Sequence, residues 1–197
     1  LLARYRRGQN SGDLDQSIKH FERASDLCPI DHPCRPASLF NLAIAKFLSC
    51  QVNRTSLDLD IPISLFQDAL ALRPTGHPDR PTTQLHLAIS LLSRFAKRGF
   101  QTDADRDDPH DLDEVISLHY DALRYYDTMY DRRGQLLSSL ARMVLTRFEH
   151  RGNSQDLDDA IMIHRDALAL FPVGHPDRSR SLNKLAFVLS TCFKHRG

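Results

Sequence analysis

Apolar positions along this chain recur three, four, seven and eight residues apart, the spacing that aligns side chains on one face of an α-helix. They form two groups per unit, separated by loops containing Pro or Gly, so each unit reads as a pair of helices. The units repeat. The tripeptide Asp-Leu-Asp begins at Asp13, Asp58, Asp111 and Asp156, at intervals of 45, 53 and 45 residues. Stacked on that first Asp, the next columns hold Ile18, Ile63, Ile116 and Ile161, then Ala24, Ala69, Ala122 and Ala167, then Arg35, Arg80, Arg133 and Arg178. The pair Leu42-Ala43 follows in register as Leu87-Ala88, Leu140-Ala141 and Leu185-Ala186, with no gap needed.

In the helix opened by Asp-Leu-Asp, here helix B, the first Asp is the expected N-cap and the second faces the positive end of the dipole. Gln16 and Glu114, three residues after that Asp, complete the pattern of a capping box. Pro62 interrupts one such start and predicts that this helix begins near Asp60. The other helix, helix A, is predicted over 80–98 and from Arg35, Arg133 and Arg178 in its equivalents.

Gly-His-Pro-Asp-Arg occurs at 76–80 and again at 174–178. An acid/base reading would pair His77 with Asp79 and would need two such pairs. The structural reading makes the pentapeptide a joint. Gly76 takes a positive φ as helix B ends, Pro78 sits where a first helical turn tolerates a missing N–H, and Asp79 favours the new helix start. Residues 127–133 replace Gly, His and Pro at the aligned columns yet keep the length and the Arg, which favours the joint for both His77 and His175.

A lone helix pair cannot bury its apolar face, so the units must stack, and the expected fold is all-α, a right-handed α-solenoid of antiparallel helix pairs. The expected divisions are 1–34 (a partial helix A and its helix B), 35–79, 80–132 with an acidic insertion at 100–110, 133–177, and 178–197 (a further helix A). Helix A stands at both ends without a clear polar cap, which predicts a piece of a longer array or self-association through an open end.

These columns resemble the tetratricopeptide repeat when the unit is cut before helix A. The signature Leu plus small residue is Leu87-Ala88 and its equivalents, and the small residue early in helix B is Ser17 and Ala160, with Val115 departing from it. The aromatic four later is Phe21 and Phe66, the Ala column follows, and the closing Pro is Pro29, Pro74 and Pro172. His119 and His164 stand in the aromatic column and are expected to be packed, satisfied rings. The link between helices is about seven residues longer than in the 34-residue form, closer to the long repeats of kinesin light chains, whose His-Pro-Asp joint it also resembles. The pattern is similar to arrays of basidiomycete fungi, some of which precede a caspase-like protease domain of the CHAT type.

The resemblance implies a protein-interaction scaffold that takes a peptide or partner helix on the concave face lined by helix A. Its groove columns lie two residues before and two after the signature Leu: Phe40 and Ile44, Leu85 and Ile89, Ser138 and Arg142, Asn183 and Phe187. They lack the Lys and Asn of a carboxylate clamp. They point instead to a hydrophobic segment, with an acidic element near Arg142. The alternative is the regulatory or sensor region of a larger enzyme, a CHAT-type protease or an NTPase.

Composition narrows this little. Lys and Arg number 26 against 25 Asp and Glu, and hydrophobic residues make up 41%, an ordinary folded balance with no basic stripe for nucleic acid. No apolar run approaches the ~20 residues of a membrane span, and no targeting pattern opens the chain. Four cysteines at irregular spacing do not form a disulfide framework, so a reducing, cytoplasmic setting is expected. Cys28, His32 and Cys34 supply three metal-ligand types without a second pair and are read as ordinary core or loop residues. Asp103, Asp105, Asp107, Asp111 and Glu114 match ligand positions of an EF-hand loop, but Asp108 stands where the turn needs Gly. No metal or other cofactor is expected. No P-loop, G-x-S-x-G, H-E-x-x-H or dinucleotide fingerprint occurs, so no enzymatic activity is expected of this segment.

Overall fold

In the computed structural model the described residues are 1–52, 58–98, 109–125 and 130–196, and their regular structure is α-helical. The helices are α1 (Leu2–Gly8), α2 (Ser11–Leu27), α3 (Arg35–Val52), α4 (Asp60–Ala71), α5 (Arg80–Arg98), α6 (Pro109–Tyr125), α7 (Tyr130–Arg151), α8 (Ser154–Ala169) and α9 (Pro176–Arg196). Helix A of the repeat is α3, α5, α7 and α9, and helix B is α2, α4, α6 and α8. The chain forms two compact units, Leu1–Asp111 and Leu112–Gly197. In the first, α1 packs on α2, α2 on α3, α3 on α4 and α4 on α5; in the second, α7 packs on α8 and α8 on α9.

Most members of the repeated columns lie in the core, while Ala24 and Ala186, in the first and last copies, are exposed. Ile63, Ala69, Leu87 and Ala88 are buried in the first unit, as are Ile161, Ala167, Leu140 and Ala141 in the second. Ala is required where helix axes approach closely, because a larger side chain would be overpacked there.

The joints work as backbone closures. Gly76 and Gly174 have φ of 89° and 92°, a region that costs glycine nothing. Nδ1 of His77 accepts from the Asp79 amide at 3.1 Å, and Nδ1 of His175 accepts from the Asp177 amide at 3.1 Å. His32 does the same for the Cys34 amide at 3.1 Å. These imidazoles therefore satisfy amides at the start of helix A, donors that otherwise lack an intrahelical partner. The Arg that closes each joint reaches back to the end of the preceding helix B. Arg35 donates to the carbonyls of Ser25 and Cys28 at 3.2 and 2.6 Å, Arg80 to those of Leu70 and Arg73, and Arg178 to those of Leu168 and Phe171 at 3.4 and 2.5 Å. Arg133 donates to Leu123 at 2.8 Å. One guanidinium thus covers carbonyls left open at a helix C-terminus.

The Asp-Leu-Asp tripeptides depart from expectation. The N-caps of α2 and α8 are Asn10 and Asn153, whose side chains accept from the Gly12 and Gln155 amides. Asp13, Asp111 and Asp156 sit inside the first turn, so the boxes expected with Gln16 and Glu114 are out of register. Their carboxylates instead receive an Arg from the preceding helix: Arg4 on Asp13, Arg94 on Asp111 at 2.9 and 2.6 Å, and Arg147 on Asp156 at 3.2 and 2.8 Å. The second Asp takes an Arg from the helix A that follows. Arg94 bonds Asp60 at 2.5 Å, Arg147 and Arg151 bond Asp113 at 3.0 and 2.8 Å, and Arg196 bonds Asp158 at 2.7 Å. Arg94 and Arg147 each tie two successive helices B to one helix A. Only at Asp58 does the first Asp serve a helix start, accepting from the Asp60 amide at 3.0 Å, and α4 begins at Asp60 as Pro62 predicts.

Candidate functional site

The groove columns differ between the two units. In the first, Phe40 lies edge-on to Phe66 and to His86, with centroids 5.7 and 5.1 Å apart, and the Phe66 and His86 centroids are 5.9 Å apart. The Arg73 guanidinium stands 5.0 Å over the Phe40 ring, a cation–π contact. Phe40 is therefore packed between helices α3, α4 and α5. Ile44 is buried, Leu85 is half-buried and Ile89 is exposed.

In the second unit the three columns of Phe40, Phe66 and His86 hold Ser138, His164 and Lys184. A hydroxyl and an amine stand where two rings pack, and a groove of about 660 Å³ opens there. Arg142, Leu145, Thr146 and Glu149 face it from α7, one helical stripe at i, i+3, i+4 and i+7. Arg180, Asn183, Lys184, Phe187 and Val188 face it from α9, and His164 of α8 lies between them. The structure thus brings Arg142, Asn183 and Phe187 into one groove. Ser138 is buried outside its lining.

The groove is cationic at its rim and apolar along Leu145, Phe187 and Val188. Burial pushes the Lys184 amine below its ordinary range, and Arg142 and Arg180 push it further, with Asp177 opposing. Three like charges gathered against a single lining carboxylate, Glu149, repel one another, and an anion placed among them relieves that repulsion. His164 is 2% exposed, and burial, then Lys184, depresses it to about 4. Its Nδ1 is fully enclosed and finds no hydrogen-bond partner among the described residues. The expectation of a satisfied ring fails here because the His164 column was shaped for Phe, which offers no hydrogen bond and needs none. His119 does meet that expectation: its Nδ1 donates to the Val115 carbonyl at 2.8 Å, and burial holds it below the usual histidine range.

The sequence reading passed over His164, Arg180, Lys184, Thr146 and Glu149 as groove residues. The signal for the first three was present in the departure from aromatic columns and in the i, i+3, i+4, i+7 run Arg180, Asn183, Lys184, Phe187. Of the EF-hand pattern, Asp103, Asp105 and Asp107 lie outside the described residues, and the Asp111 carboxylate is held by Arg94. Cys28, Cys34, Cys50 and Cys192 are free thiols. No described helix is long and apolar enough to cross a membrane.

Helix pairs with a Leu-Ala helix A, an Ala-bearing helix B and a Pro-closed joint make an all-α fold of tetratricopeptide-like helix pairs. A solved structure of this fold is the crystal structure of a Podosopora anserina putative kinesin light chain with nearly identical TPR-like repeats. It aligns with a TM-score of 0.67 over 97% of this chain and 84% of that one, at 18% identity. A second crystal structure, of a Gln-to-Met variant of that protein, aligns with the same values. At this identity the likeness shows the fold. No family model and no curated protein matches the sequence.

Proposed function

We propose that this chain is a protein-interaction scaffold whose groove between α7, α8 and α9 takes an extended peptide segment carrying an acidic side chain beside an apolar one. One observation carries the reading: Arg142, Arg180 and Lys184 converge on an apolar-floored groove beside His164, and the columns of His164 and Lys184 hold the packed rings Phe66 and His86 in the first unit. The acidic group would meet the two guanidinium groups and the amine, gaining charge-assisted hydrogen bonds. The apolar neighbour would lie on Leu145, Phe187 and Val188, and Asn183 and Thr146 supply polar groups to peptide backbone. Such a site, mostly apolar with a few convergent polar groups, is the ordinary form of a recognition pocket.

Peptides selected from a displayed random library on the wild-type chain test this. Selected peptides should pair Asp or Glu with an aromatic or aliphatic residue. Arg142→Glu and Lys184→Glu should each weaken them by about tenfold or more while leaving the melting temperature within about 2 °C, since both residues lie at the groove and outside the repeated core. Selected peptides whose binding ignores both charge reversals would refute the groove.

A further inference from the structure

Each of the three groove cations stands alone in its column. The Arg142 column holds Ile44, Ile89 and Phe187 in the other copies, the Arg180 column holds Ala37, Thr82 and Gln135, and the Lys184 column holds Asn41, His86 and Ser139. None of these is Lys or Arg. The cations that hold the helices together behave otherwise: the joint Arg returns as Arg35, Arg80, Arg133 and Arg178, and Arg94 and Arg147 each meet a carboxylate of the following Asp-Leu-Asp. A charge that the fold needs recurs with the fold. Arg142, Arg180 and Lys184 do not recur, and all three line one groove.

The charges around Lys184 do not balance. Arg142 and Arg180 repel its amine, and the one carboxylate that relieves it is Asp177, which also pairs with Arg180 at 3.5 Å. Among the described residues neither Arg142 nor Lys184 makes an ion pair. Glu149 lines the groove from α7, but seven residues of helical rise set its backbone about 10 Å from that of Arg142. Three cations against Asp177 leave two positive charges beside the apolar wall of Leu145, Phe187 and Val188. A single carboxylate neutralises one of them. Two carboxylates of an extended peptide come from different residues, and successive side chains point to opposite faces. A phosphate monoester carries close to two negative charges at pH 7 and three acceptor oxygens on one group, which two guanidinium groups and an amine match. His164 adds a separate observation: it is 2% exposed, lines the same groove, and its Nδ1 has no partner among the described residues, the kind of buried polar atom that a bound group completes.

We propose that the acidic group taken by this groove is a phosphorylated side chain of a peptide, its phosphate among Arg142, Arg180 and Lys184 and a neighbouring apolar residue on Leu145, Phe187 and Val188. The proposal rests on the peptide-binding reading above and narrows its ligand. The probes are degenerate peptide libraries with phosphoserine, phosphothreonine, phosphotyrosine or Glu fixed between randomised positions, passed over the immobilised 197-residue chain. The strongest binders are resynthesised with the phosphorylated residue, with Glu and with the unmodified residue at the fixed position, and titrated by fluorescence anisotropy. The phosphorylated form should bind tighter than its Glu counterpart by about tenfold or more. Arg142→Ile, Arg180→Gln and Lys184→Ser each install a residue that another copy holds in the same column, and circular dichroism and the melting temperature should stay as in the wild type. Each should weaken the phosphorylated peptide by about tenfold and narrow its advantage over Glu, a ratio that a merely structural role would not move. Glu counterparts that bind as tightly overturn the phosphate and leave the acidic-peptide groove standing. Absence of saturable binding from every library overturns both. Phosphopeptide binding that the three substitutions leave unchanged lies elsewhere on the chain and overturns the proposal. Free phosphoserine that competes as strongly as the whole peptide would assign the cations to a small phosphate ester and overturn it equally.

Discussion

Replacing His164 by Phe isolates the energetic signature of the groove. Phe66 fills the same column in the first unit and is fully buried, so the column accepts that ring. The substitution removes an enclosed nitrogen without a partner, a defect worth about 1–3 kcal/mol, and the expected gain at pH 7 is about 1–2 kcal/mol after allowance for imperfect repacking. The larger effect is on pH dependence. His164 titrates at about 4 in the folded chain against an ordinary 6.5. Between these values the unfolded chain binds a proton that the folded chain refuses, so stability is full above 6.5 and falls as the pH drops towards 4. For this pair of values, linkage gives a loss of about 2 kcal/mol from pH 7 to pH 5. The charged groups lining the groove around the ring are Arg142 and Glu149 from α7 and Arg180 and Lys184 from α9, three of the four cationic. His119 is shifted in the same direction but is common to both proteins and cancels in the difference. Urea unfolding followed by circular dichroism at pH 7, 6 and 5 is the assay. The gap between His164→Phe and wild type should widen by about 2 kcal/mol across that range. Equal losses in the two proteins would refute the assignment of a buried, neutral His164.

Gly134→Ala should destabilise by about 1–2 kcal/mol, although Ala favours a helix, because an added Cβ would lie 2.5 Å from the Phe171 ring; Phe171→Leu in the same chain should restore part of the melting temperature. Arg147→Ala should cost about 2–4 kcal/mol, since it strands the Asp156 carboxylate, 2% exposed, and frees one side of Asp113. Asp156→Asn in that background should recover much of the loss, a coupling read from a double-mutant cycle.

Helix pairs and joints were legible because the same constraint is written four times. A column that returns at each Asp-Leu-Asp, such as Ala24, Ala69, Ala122 and Ala167, carries its own control. The caps were not legible for a specific reason. Asp13 with Gln16 satisfies the local capping pattern, while the side chain that caps, Asn10, stands three residues earlier. The partner of Asp13 is Arg4, on another helix, and local patterns do not see such partners. An Arg nine residues before the Asp at Arg4 and Arg147, replaced by Ser49 and displaced by the insertion at Arg94, was the available signal. The groove was half legible. Family resemblance placed Arg142, Asn183 and Phe187, but the lining residues His164 and Lys184 stand where the first unit packs Phe66 and His86, and that difference is visible only beside the packed trio.

That comparison also separates the columns by task. Of the positions that hold one residue type through the chain, the joint Arg satisfies backbone carbonyls in each repeat, and the Leu-Ala pair is buried against neighbouring helices on α3, α5 and α7. The column Phe40, Leu85, Ser138 and Asn183 has no such duty and changes from ring to aliphatic to hydroxyl to amide. Where it holds Phe40, the side chain joins Phe66, His86 and Arg73 and the repeat closes on itself. Where it holds Ser138 no ring joins His164, whose Nδ1 has no partner among the described residues, and Asn183 lines a groove bordered by three cations. Filling a column with a ring packs the repeat more fully; leaving it short opens a groove. His164→Phe should therefore move the second unit towards the closed state of the first, with higher stability and weaker capture of acidic peptides in the same protein.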